Sequence, residues 1–480
     1  MIGLDFGSTT SSAVVARACV GMKSSTGRLA FQSPEMIYRS EPVFTPFHGQ
    51  FIDQTRLEGY LDQWIAESGV DCDDIFSGGA MITGLAAKRA NADTLARLIG
   101  EKIGESVIAA ADDPCLESWL SFMGSSSRLS RCQSETRFIN LDIGGGTTNP
   151  ALGLDGDVIR TGCYYIGARH FQMQPGTYRL EAVSYYGRSL LSHLSIAKEI
   201  GDILTPPELN RILAFYVNAL EAIVSGDLGF FSTPLGNLHQ QVPFRFDSNG
   251  PKPVITFSGG VGELIYRCCS GEDLPGTTHY GDLGIDLARK ILDSAILSSH
   301  VKVQVPENMG RATVYGLALH STEISGTTIF LSRPGILPRR DLPILARISI
   351  HSPLEELDRA LALITRNPKG GCIQILSDRC HPRINDALIR VPSGESLSSV
   401  KGFGQRLARL LEKMEIKTDQ TVALLAPGNY GQALGNYASR WRQANVDLVV
   451  IDEIPDRNAH FVNIGRPHSR MVPVSFYGIH

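Results

Sequence analysis

The fold of this protein is decided by one stretch of its sequence, Asn140-Leu141-Asp142-Ile143-Gly144-Gly145-Gly146-Thr147-Thr148-Asn149. An apolar run leads into Asp142 and another follows Asn149, which together predict two strands joined by a glycine turn. Because glycine has no Cβ atom, such a turn can bring several backbone N–H groups to one phosphate. Asp142, at the mouth of the turn, is placed to bind a hydrated Mg²⁺ ion. Taken alone, however, most glycine-rich turns between strands are only turns.

A second copy of the pattern stands at the start of the chain. Leu4-Asp5-Phe6-Gly7 aligns with Leu141-Asp142-Ile143-Gly144, and Thr9-Thr10 aligns with Thr147-Thr148 if one glycine is inserted. An internal repeat of a whole strand–turn–strand unit indicates two similar lobes that face each other. Each lobe would then offer an aspartate and a glycine–threonine turn to a ligand between them.

The third part of the pattern is a strand that runs into paired glycines. Val254-Ile255-Thr256-Phe257 predicts the strand, and Ser258-Gly259-Gly260-Val261-Gly262-Glu263 predicts the start of a helix. Paired glycines at this junction let the backbone approach a flat ligand such as adenosine, and a helix N-terminus favours negative charge. Three such pieces in this order predict a nucleotide cleft.

These three pieces resemble the phosphate 1, phosphate 2 and adenosine motifs of the actin, Hsp70 and sugar-kinase superfamily of ATPases. Within that superfamily the chain is similar to the ethanolamine ammonia-lyase reactivating factors (EutA family). The stretches that support this resemblance span nearly the whole chain: Ser40 to Pro46, Ile82-Thr83-Gly84, Asp142 to Asn149, Thr161-Gly162-Cys163, Ile255 to Glu263, Arg311 to Val314, Thr322 to Gly326 and Asn463 to Pro467.

The resemblance implies an α/β fold, that of an actin-like (ribonuclease H-like) ATPase with two duplicated lobes, followed by a C-terminal α/β domain. We expect the first lobe at 1–136, the second lobe at 137–332, a proline- and arginine-rich linker at 333–343 and the C-terminal domain at 344–480. In the last range strand and helix patterns alternate, which predicts a parallel sheet with helices outside it.

In phosphoryl transfer the protein mainly positions the reacting groups and supplies N–H dipoles and cations around the γ-phosphate. We expect Asp5 and Asp142 to bind Mg²⁺ and, with Thr147, to be the catalytic residues, Asp142 being favoured to orient the attacking water. The residues expected to bind ATP are Gly7, Ser8, Thr9, Thr10, Gly144, Gly145, Gly146, Thr147, Thr148, Gly259, Gly260, Gly262 and Glu263. ATP bound by both lobes would close them in a hinge motion.

What that motion accomplishes follows from the resemblance alone. It implies an ATPase that acts as a chaperone for ethanolamine ammonia-lyase in ethanolamine catabolism, releasing damaged cobalamin so that intact adenosylcobalamin can replace it. The chain itself is not expected to hold the cofactor, because no Asp-x-His-x-x-Gly pattern occurs among its 12 histidines. The expected location is the cytoplasm, either free or inside a bacterial microcompartment, and a homo-oligomer is one alternative for the quaternary state.

Two other functions on the same ATPase fold stay open, a small-molecule kinase and an actin-like assembly protein. A kinase needs its own base opposite the γ-phosphate, and no separate aspartate signature for one is present. One departure from the family pattern also bears on activity. The family resemblance implies a glutamate after Gly84, where this chain has Leu85, so ATP hydrolysis is expected to be slow or to proceed differently.

Composition excludes several classes of function. The chain has 480 residues with 43% hydrophobic and 20% charged residues, a net charge of −4 and a pI near 6.3. Without a dense run of lysine and arginine, nucleic acid and anionic membranes are not expected partners. No apolar stretch of about 18 residues is present to span a bilayer.

Several local patterns give further expectations. The nine cysteines have no framework spacing, which favours reduced thiols, and Cys372, Cys380 and His381 are not expected to bind zinc. Gly124 to Arg128 reads as a flexible loop, and Leu190 to Ser225 as helix with a start signal at Thr205. Pro150 lacks an N–H donor, so its strand is expected at a sheet edge or with a kink.

Overall fold

In the computed structural model the described residues are 1–22, 29–48, 51–83, 86, 90–103, 107–111, 113–248, 250–376, 397–414, 420–468 and 471–479. The elements of the first lobe are β1 (Ile2–Phe6), β2 (Thr10–Met22), β3 (Leu29–Arg39), β4 (Val43–Phe44), β5 (Phe47–His48), β6 (Phe51–Ile52), β7 (Gly78–Ile82), β8 (Val107–Ala111), α1 (Gln54–Ser68) and α2 (Ala92–Ile103). Its main sheet has the order β3-β2-β1-β7-β8, with β4 paired to β2.

The second lobe repeats this plan. Its elements are β9 (Phe138–Ile143), β10 (Thr148–Leu154), β11 (Asp157–Thr161), β12 (Cys163–Tyr164), β13 (Phe171–Met173), β14 (Leu180–Val183), β15 (Gln240–Val242), β16 (Val254–Ser258) and the helices α5 (Tyr185–His193), α6 (Pro206–Ser225), α7 (Leu228–Ser232), α8 (Pro234–Leu238), α9 (Gly259–Cys269) and α10 (Gly284–Asp293). The sheet order is β15-β12-β10-β9-β16, with β11 also paired to β10.

The strand pairing confirms the predicted duplication and corrects its alignment. In both lobes an antiparallel hairpin is followed by a strand parallel to its first arm, β7 beside β1 and β16 beside β9. Phe6 pairs with Ser11 and Ile143 pairs with Thr148, so the two turns have equal length. Thr10 is therefore the counterpart of Thr147, and the inserted glycine that we expected is not needed.

Two helices, α3 (Pro114–Ser125) and α11 (Ala312–His320), cross between the lobes. α11 packs on β1, β2 and β7, whereas α3 packs on the second-lobe strands, and the helices pack against each other. Their backbones are in close contact, because a Cβ atom on Gly124 would lie 2.0 Å from the Ala312 carbonyl oxygen. A Cβ atom on Gly316 would lie 2.2 Å from the carbonyl oxygen of Leu120.

An eight-stranded sheet follows α11, with the order β17-β24-β23-β19-β20-β21-β22-β18. Its strands are β17 (Thr322–Ile324), β18 (Phe330–Leu331), β19 (Arg339–Ile348), β20 (Gly370–Ile375), β21 (Thr421–Leu425), β22 (Asp447–Ile451), β23 (Ala459–Ile464) and β24 (Pro473–Ile479), and its helices are α12 (Leu354–Arg366), α13 (Leu397–Leu411) and α14 (Gly431–Ala438). Strands β19 to β22 are parallel, as the alternation predicts, and apolar clusters cover both faces.

This sheet begins earlier than the expected domain ranges imply. β17 and β18 lie before residue 333 yet pair with β24 and β22. Residues 339–343, expected in the linker, form the first half of β19.

Two local predictions were wrong, and so was the edge position, one of the two alternatives for Pro150. Residues Gly124 to Arg128 are not a loop but the end of α3 and the start of α4 (Ser127–Cys132), because Ser126 packs into the core rather than facing water. The range Leu190 to Ser225 holds parts of two helices, and only α6 starts at the predicted signal, where the Thr205 N–H donates to Glu208 Oε2 over 2.7 Å.

Pro150 is likewise not in an edge strand, since β10 pairs with β9 on one side and with β11 and β12 on the other. The strand pairing is interrupted in the segment beside β10 instead, where Gly162 separates β11 from β12. The Gly162 N–H donates to the Pro150 carbonyl oxygen over 3.0 Å. Cys163 of β12 is buried, and α14 begins at Gly431.

Candidate functional site

A cleft of about 380 Å³ lies between the two lobes, and it brings together most of the residues that the sequence singled out. The predicted residues that line it are Asp5, Gly7, Ser8, Thr9, Thr10, Asp142, Gly144, Gly145, Gly146, Thr147, Gly259, Gly260 and Glu263. Thr148 and Gly262 do not line the cleft. Thr148 is buried with its hydroxyl donating to the Ile166 carbonyl, and Gly262 packs against Phe257.

The two glycine turns have the same internal hydrogen bond. The Gly7 N–H donates to the Thr10 carbonyl over 3.0 Å, and the Gly144 N–H donates to the Thr147 carbonyl over 2.9 Å. Both turns therefore close in the same way, one in each lobe, with the preceding aspartate at the end of its strand.

Neighbouring segments engage the carbonyl groups of both turns. Thr45 binds the first turn, with its hydroxyl donating to the Gly7 carbonyl over 2.7 Å and its N–H donating to the Thr9 carbonyl over 3.0 Å. The second turn is bound in a similar way, because the Arg169 N–H donates to the Gly145 carbonyl over 2.6 Å. Within the described part of the chain, the N–H groups of Thr9, Gly145 and Gly146 have no hydrogen-bond acceptor. The neighbouring hydrogen bonds hold the turns in place, and these N–H groups are left without an acceptor. Such N–H groups are suited to bind a phosphate.

Asp142 is buried and Asp5 is partly buried, and both carboxyls have raised pKa values. Burial, and secondarily the charge of Asp142, raises the pKa of Asp5 to about 7, even though Thr83 Oγ1 donates to Asp5 Oδ1 over 3.1 Å. Burial also raises the pKa of Asp142 to about 6, against the hydrogen bond of 2.7 Å from Ser258 Oγ. Neither forms an ion pair with a lysine or arginine of the described chain. A divalent cation would stabilise both ionised forms, so the pair fits a Mg²⁺ ion.

The position of Ser258 depends on a buried polar network that the sequence reasoning missed. Asn140 Nδ2 donates to Ser258 Oγ over 2.8 Å, which directs the serine hydroxyl proton toward Asp142. Asn140 Oδ1 in turn accepts from Thr256 and Ser126 over 3.2 and 3.3 Å. The sequence signal for this network was one polar residue in each of two otherwise apolar strands, Asn140 and Thr256. Buried polar groups are normally hydrogen-bonded, so these two residues predict polar partners in the core.

The far end of the cleft is formed by the start of α9 and the turn before α11. Gly259 has φ +77°, and a Cβ atom there would lie 2.6 Å from the Ile143 carbonyl, so the helix starts directly beside the second turn. Glu263 lies over Gly310, where a Cβ atom would be 2.1 Å from Glu263 Oε2. Arg311 also lines the cleft and donates to the Ser40 carbonyl over 2.5 Å.

Glu117 is a second residue that sequence reasoning missed. It lies on α3, is 9% exposed, and lines the cleft with Asp5 and Asp142. The sequence signal for this residue was a single carboxylate in the apolar first turns of a helix that Asp113 caps. An acidic side chain is seldom buried unless it is paired or functional. It is the only cleft-lining glutamate besides Glu263 among the described residues, and Leu85, where a glutamate was expected, lies outside them.

Within the described ranges, no three His, Cys, Asp or Glu residues cluster as metal ligands. Mg²⁺ does not require such a cluster, because it usually keeps several waters and takes one or two carboxylates with substrate phosphates. No helix in those ranges is long and apolar enough to cross a bilayer. Cys372 is buried on β20, and Cys380 and His381 lie outside the described residues.

Two curated proteins are similar to this chain over almost its full length. The ethanolamine ammonia-lyase reactivase EutA of Escherichia coli (strain K12) is 26% identical over 481 residues, covering 99% of this chain and 97% of that protein. The protein of the same name from Salmonella typhimurium is 25% identical over 480 residues, with the same coverage of both chains.

The solved structures that align with this chain are more distant. An exopolyphosphatase-like protein aligns with 66% of this chain and 84% of its own at 16% identity and a TM-score of 0.35. The activator of 2-hydroxyisocaproyl-CoA dehydratase from Clostridium difficile, with bound ADPNP, aligns with 67% of this chain and 93% of its own at 15% identity and a TM-score of 0.29. With these low identities and TM-scores, the description of the fold rests on the strand order given above.

A sequence model of one protein family, described as "Ethanolamine utilisation protein EutA", matches residues 1–477. That match covers both lobes, the cleft and the C-terminal sheet. The chain belongs to the EutA family of ethanolamine utilisation proteins.

Proposed function

We propose that this protein is an ATP-dependent reactivating factor for ethanolamine ammonia-lyase. In this proposal it binds the inactive lyase and uses nucleotide-driven closure of its lobes to release damaged cobalamin, so that adenosylcobalamin can bind. Family membership and the name of the two full-length relatives support the partner. The observation that supports the use of a nucleotide is the pair of matched aspartate-led turns on the two sides of one cleft.

The two turns would hold the phosphates of ATP. The free N–H groups of Thr9, Gly145 and Gly146 would donate to phosphate oxygens, and they cost little to reorganise because their carbonyls are already fixed. Asp5 and Asp142 would hold Mg²⁺ through its waters, and the ion, when bound, would neutralise charge on the phosphates. The start of α9, with Gly259, Gly260 and Glu263, would contact the adenosine end.

In this proposal Glu117, and not Asp142 as expected from the sequence, would orient the attacking water. It lines the same cleft as both aspartates, and as a buried carboxylate it can accept a proton from water if the water lies within hydrogen-bond distance. This role gives the chain a carboxylate for hydrolysis although Leu85 stands where the family resemblance implies a glutamate.

ATP-state-dependent closure supplies the energy for cofactor exchange. One turn and its aspartate belong to each lobe, so a ligand bound to both stabilises the closed arrangement over the open one. Moving the lyase from about 1:99 to 99:1 in favour of an open cobalamin site takes about 5.5 kcal/mol of differential binding. Hydrolysis then resets the cycle by removing the γ-phosphate that both turns contact.

The test is a reactivation assay with purified ethanolamine ammonia-lyase that has been inactivated with cyanocobalamin. The lyase is incubated with this protein, MgATP and adenosylcobalamin, and deamination of ethanolamine is followed. We expect activity to return with the unaltered protein and with Asp157→Asn, an exposed acid on β11, and not with Asp142→Asn. Full recovery with Asp142→Asn, or none with the unaltered protein, would refute the proposal.

A parallel arm separates nucleotide binding from hydrolysis. If hydrolysis only resets the cycle, ADPNP should support one round of cobalamin release without continued turnover. Transfer of phosphate from ATP to a small molecule, or filament formation seen by light scattering, would instead favour the kinase or the assembly protein.

A further inference from the structure

A second cavity lies on the opposite side of α3 from the nucleotide cleft. It measures about 520 Å³ and lies between the second lobe, α3 and the C-terminal sheet. Its wall includes Cys115 and Trp119 of α3, Arg160 of β11, Arg245 after β15, and Arg457 between β22 and β23. The volume is in the usual range of small-molecule sites, which is roughly 300–1,000 Å³.

The charged groups around this cavity do not cancel. Arg457 is paired with Glu323, and Asp456 is paired with Arg347 at 2.8 Å, so these four groups are neutral in sum. Arg160 and Arg245 form no ion pair with any residue of the described ranges, and the one hydrogen bond of Arg160 goes to the carbonyl of its neighbour Ile159. Arg160 and Arg245, both exposed to solvent, therefore bring two positive charges to one cavity without an acidic partner in those ranges.

The rest of the wall is mixed, with Thr161 and Asn458 as polar members and an apolar and aromatic part. Trp119 is 7% exposed, and its ring is held in place by the guanidinium of Arg457, whose central carbon lies 5.2 Å from the ring centroid. Ile159 and Val242 add aliphatic surface. Two arginines that line one cavity with a fixed indole ring can bind an organic anion, because a guanidinium group matches carboxylate and phosphate with paired donors.

We propose that this cavity is a binding site for a small organic anion, a carboxylate or a phosphate ester with an apolar body, held by Arg160 and Arg245. The site is separate from the nucleotide cleft. The geometry of α3 places the two on opposite faces, because Cys115 and Trp119 are one helical turn apart while Glu117 between them points the other way. An anion bound here would therefore contact the helix that bears the cleft glutamate.

The experiment is isothermal titration with phenyl phosphate, benzoate and inorganic phosphate as probes, on the full chain. We expect saturable binding of the first two and weaker binding of inorganic phosphate, which lacks the apolar body. The double variant Arg160→Gln/Arg245→Gln should weaken binding by about ten-fold or more, through loss of two charge-assisted contacts. A matched variant, Arg188→Gln/Arg359→Gln, removes two exposed arginines elsewhere and should bind as the unaltered protein does.

A further variant distinguishes this site from the nucleotide cleft. Gly145→Ala, which alters the cleft, should leave phenyl phosphate binding unchanged to within about two-fold, since the cavity lies across α3. Absence of saturable binding, equal binding by the Arg160→Gln/Arg245→Gln variant, or loss of binding in Gly145→Ala would each overturn the inference. Since the readout is binding alone, failure of the lyase reactivation assay would leave this result standing. Preference for phenyl phosphate over benzoate would assign a phosphate ester, and the reverse a carboxylate.

Discussion

A Cβ atom placed on Gly145 would lie 2.5 Å from the Oγ1 atom of Thr9, although the two residues belong to different lobes. The same atom would lie 3.3 Å from the Cβ atom of Ser8 and 3.2 Å from that of Arg169. The two glycine turns thus approach each other so closely that a methyl group at this position requires Thr9, Ser8 or Arg169 to shift. Their approach determines the width of the cleft where both would contact a triphosphate.

Gly145→Ala should separate the two turns. The added methyl group meets Thr9, Ser8 and Arg169 at once, so we expect nucleotide affinity to fall by about ten-fold or more while the fold is kept. Binding of ADPNP with Mg²⁺, measured by titration calorimetry, checks this. Gly59→Ala, in α1 with nothing within 4 Å of the new methyl group, is the matched control and should bind normally. Equal affinity in the two variants would contradict the close approach.

Asp142→Asn should abolish Mg²⁺-dependent ATP hydrolysis with little loss of stability. The amide keeps the size of the side chain and can still accept the hydrogen bond from Ser258, but it removes the charge that would hold the cation. Phosphate release and thermal unfolding measure the two effects. Ser258→Ala should lower the hydrolysis rate less, because it removes one hydrogen bond and leaves the carboxylate in place. A Ser258→Ala variant more impaired than Asp142→Asn would argue against the metal role.

Glu117→Gln should lower the rate of hydrolysis by about 10²-fold or more without weakening ADPNP binding, since a general base acts only in the chemical step. Steady-state hydrolysis and calorimetry separate the two effects. Glu307→Gln, an exposed residue paired with Arg128, is a control expected to hydrolyse ATP normally. A Glu117→Gln variant with unchanged hydrolysis would remove this residue from the mechanism, and one with lost binding would assign it to the ligand or to the fold.

Nucleotide binding should depend on pH through Asp5 and Asp142. Because burial raises their pKa values to about 7 and about 6, both carboxyls are largely protonated in the ligand-free protein below those values. Binding of Mg²⁺ with ADPNP must then release protons, so affinity should rise between about pH 5 and pH 8. Calorimetry in buffers of different ionisation enthalpy counts the protons, and Asp5→Asn should release fewer.

The same shifts predict how stability changes with pH when no ligand is bound. Folded carboxyls with raised pKa values bind more protons than the unfolded chain between about pH 4 and pH 7, so the contribution of Asp5 and Asp142 to stability is largest below this window and falls as pH rises through it. Thermal unfolding with EDTA present measures this. Asp5→Asn should flatten the curve, and an unfolding temperature that rises steadily through the window would contradict the buried pair.

Gly316→Ala should destabilise the crossing of α3 and α11. Its methyl group would lie 2.2 Å from a backbone oxygen of Leu120, which cannot rotate away, so we expect a loss of about 1–3 kcal/mol or more in the free energy of unfolding. Gly402→Ala on α13 has nothing within 4 Å and should instead stabilise by about 0.5–1 kcal/mol. Chemical denaturation distinguishes the two directions, and similar values would refute the tight crossing.

Local sequence patterns predicted the elements of the cleft because each depends on neighbours in the chain. The strands before Asp5 and Asp142, the turns after them and the helix start at Gly259 are all encoded by short runs of apolar residues and glycine. The same local reasoning failed at Gly124 to Arg128. Small polar residues there look like a loop, but they are needed where α3 approaches α11, and that helix lies far away in the sequence.

Glu117 and Asn140 show the same limit of local sequence patterns at the candidate site. Neither belongs to a glycine motif, and each acquires its place only when a helix or a neighbouring strand packs beside the turns. The alignment of the two repeats also required strand pairing, because a threonine pair can be matched with or without an inserted glycine until the register is known.

The sequence by itself determined that this chain has two aspartate-led turns, a helix start behind paired glycines and the EutA-family pattern across its length. Only the tertiary structure decided how far apart the turns lie, which carboxylate besides the aspartates reaches the cleft, and that Arg160 and Arg245 line a second cavity. The reason is physical: hydrogen bonding within a turn is set by adjacent residues, whereas distances between turns, burial and unbalanced charge depend on how distant elements pack.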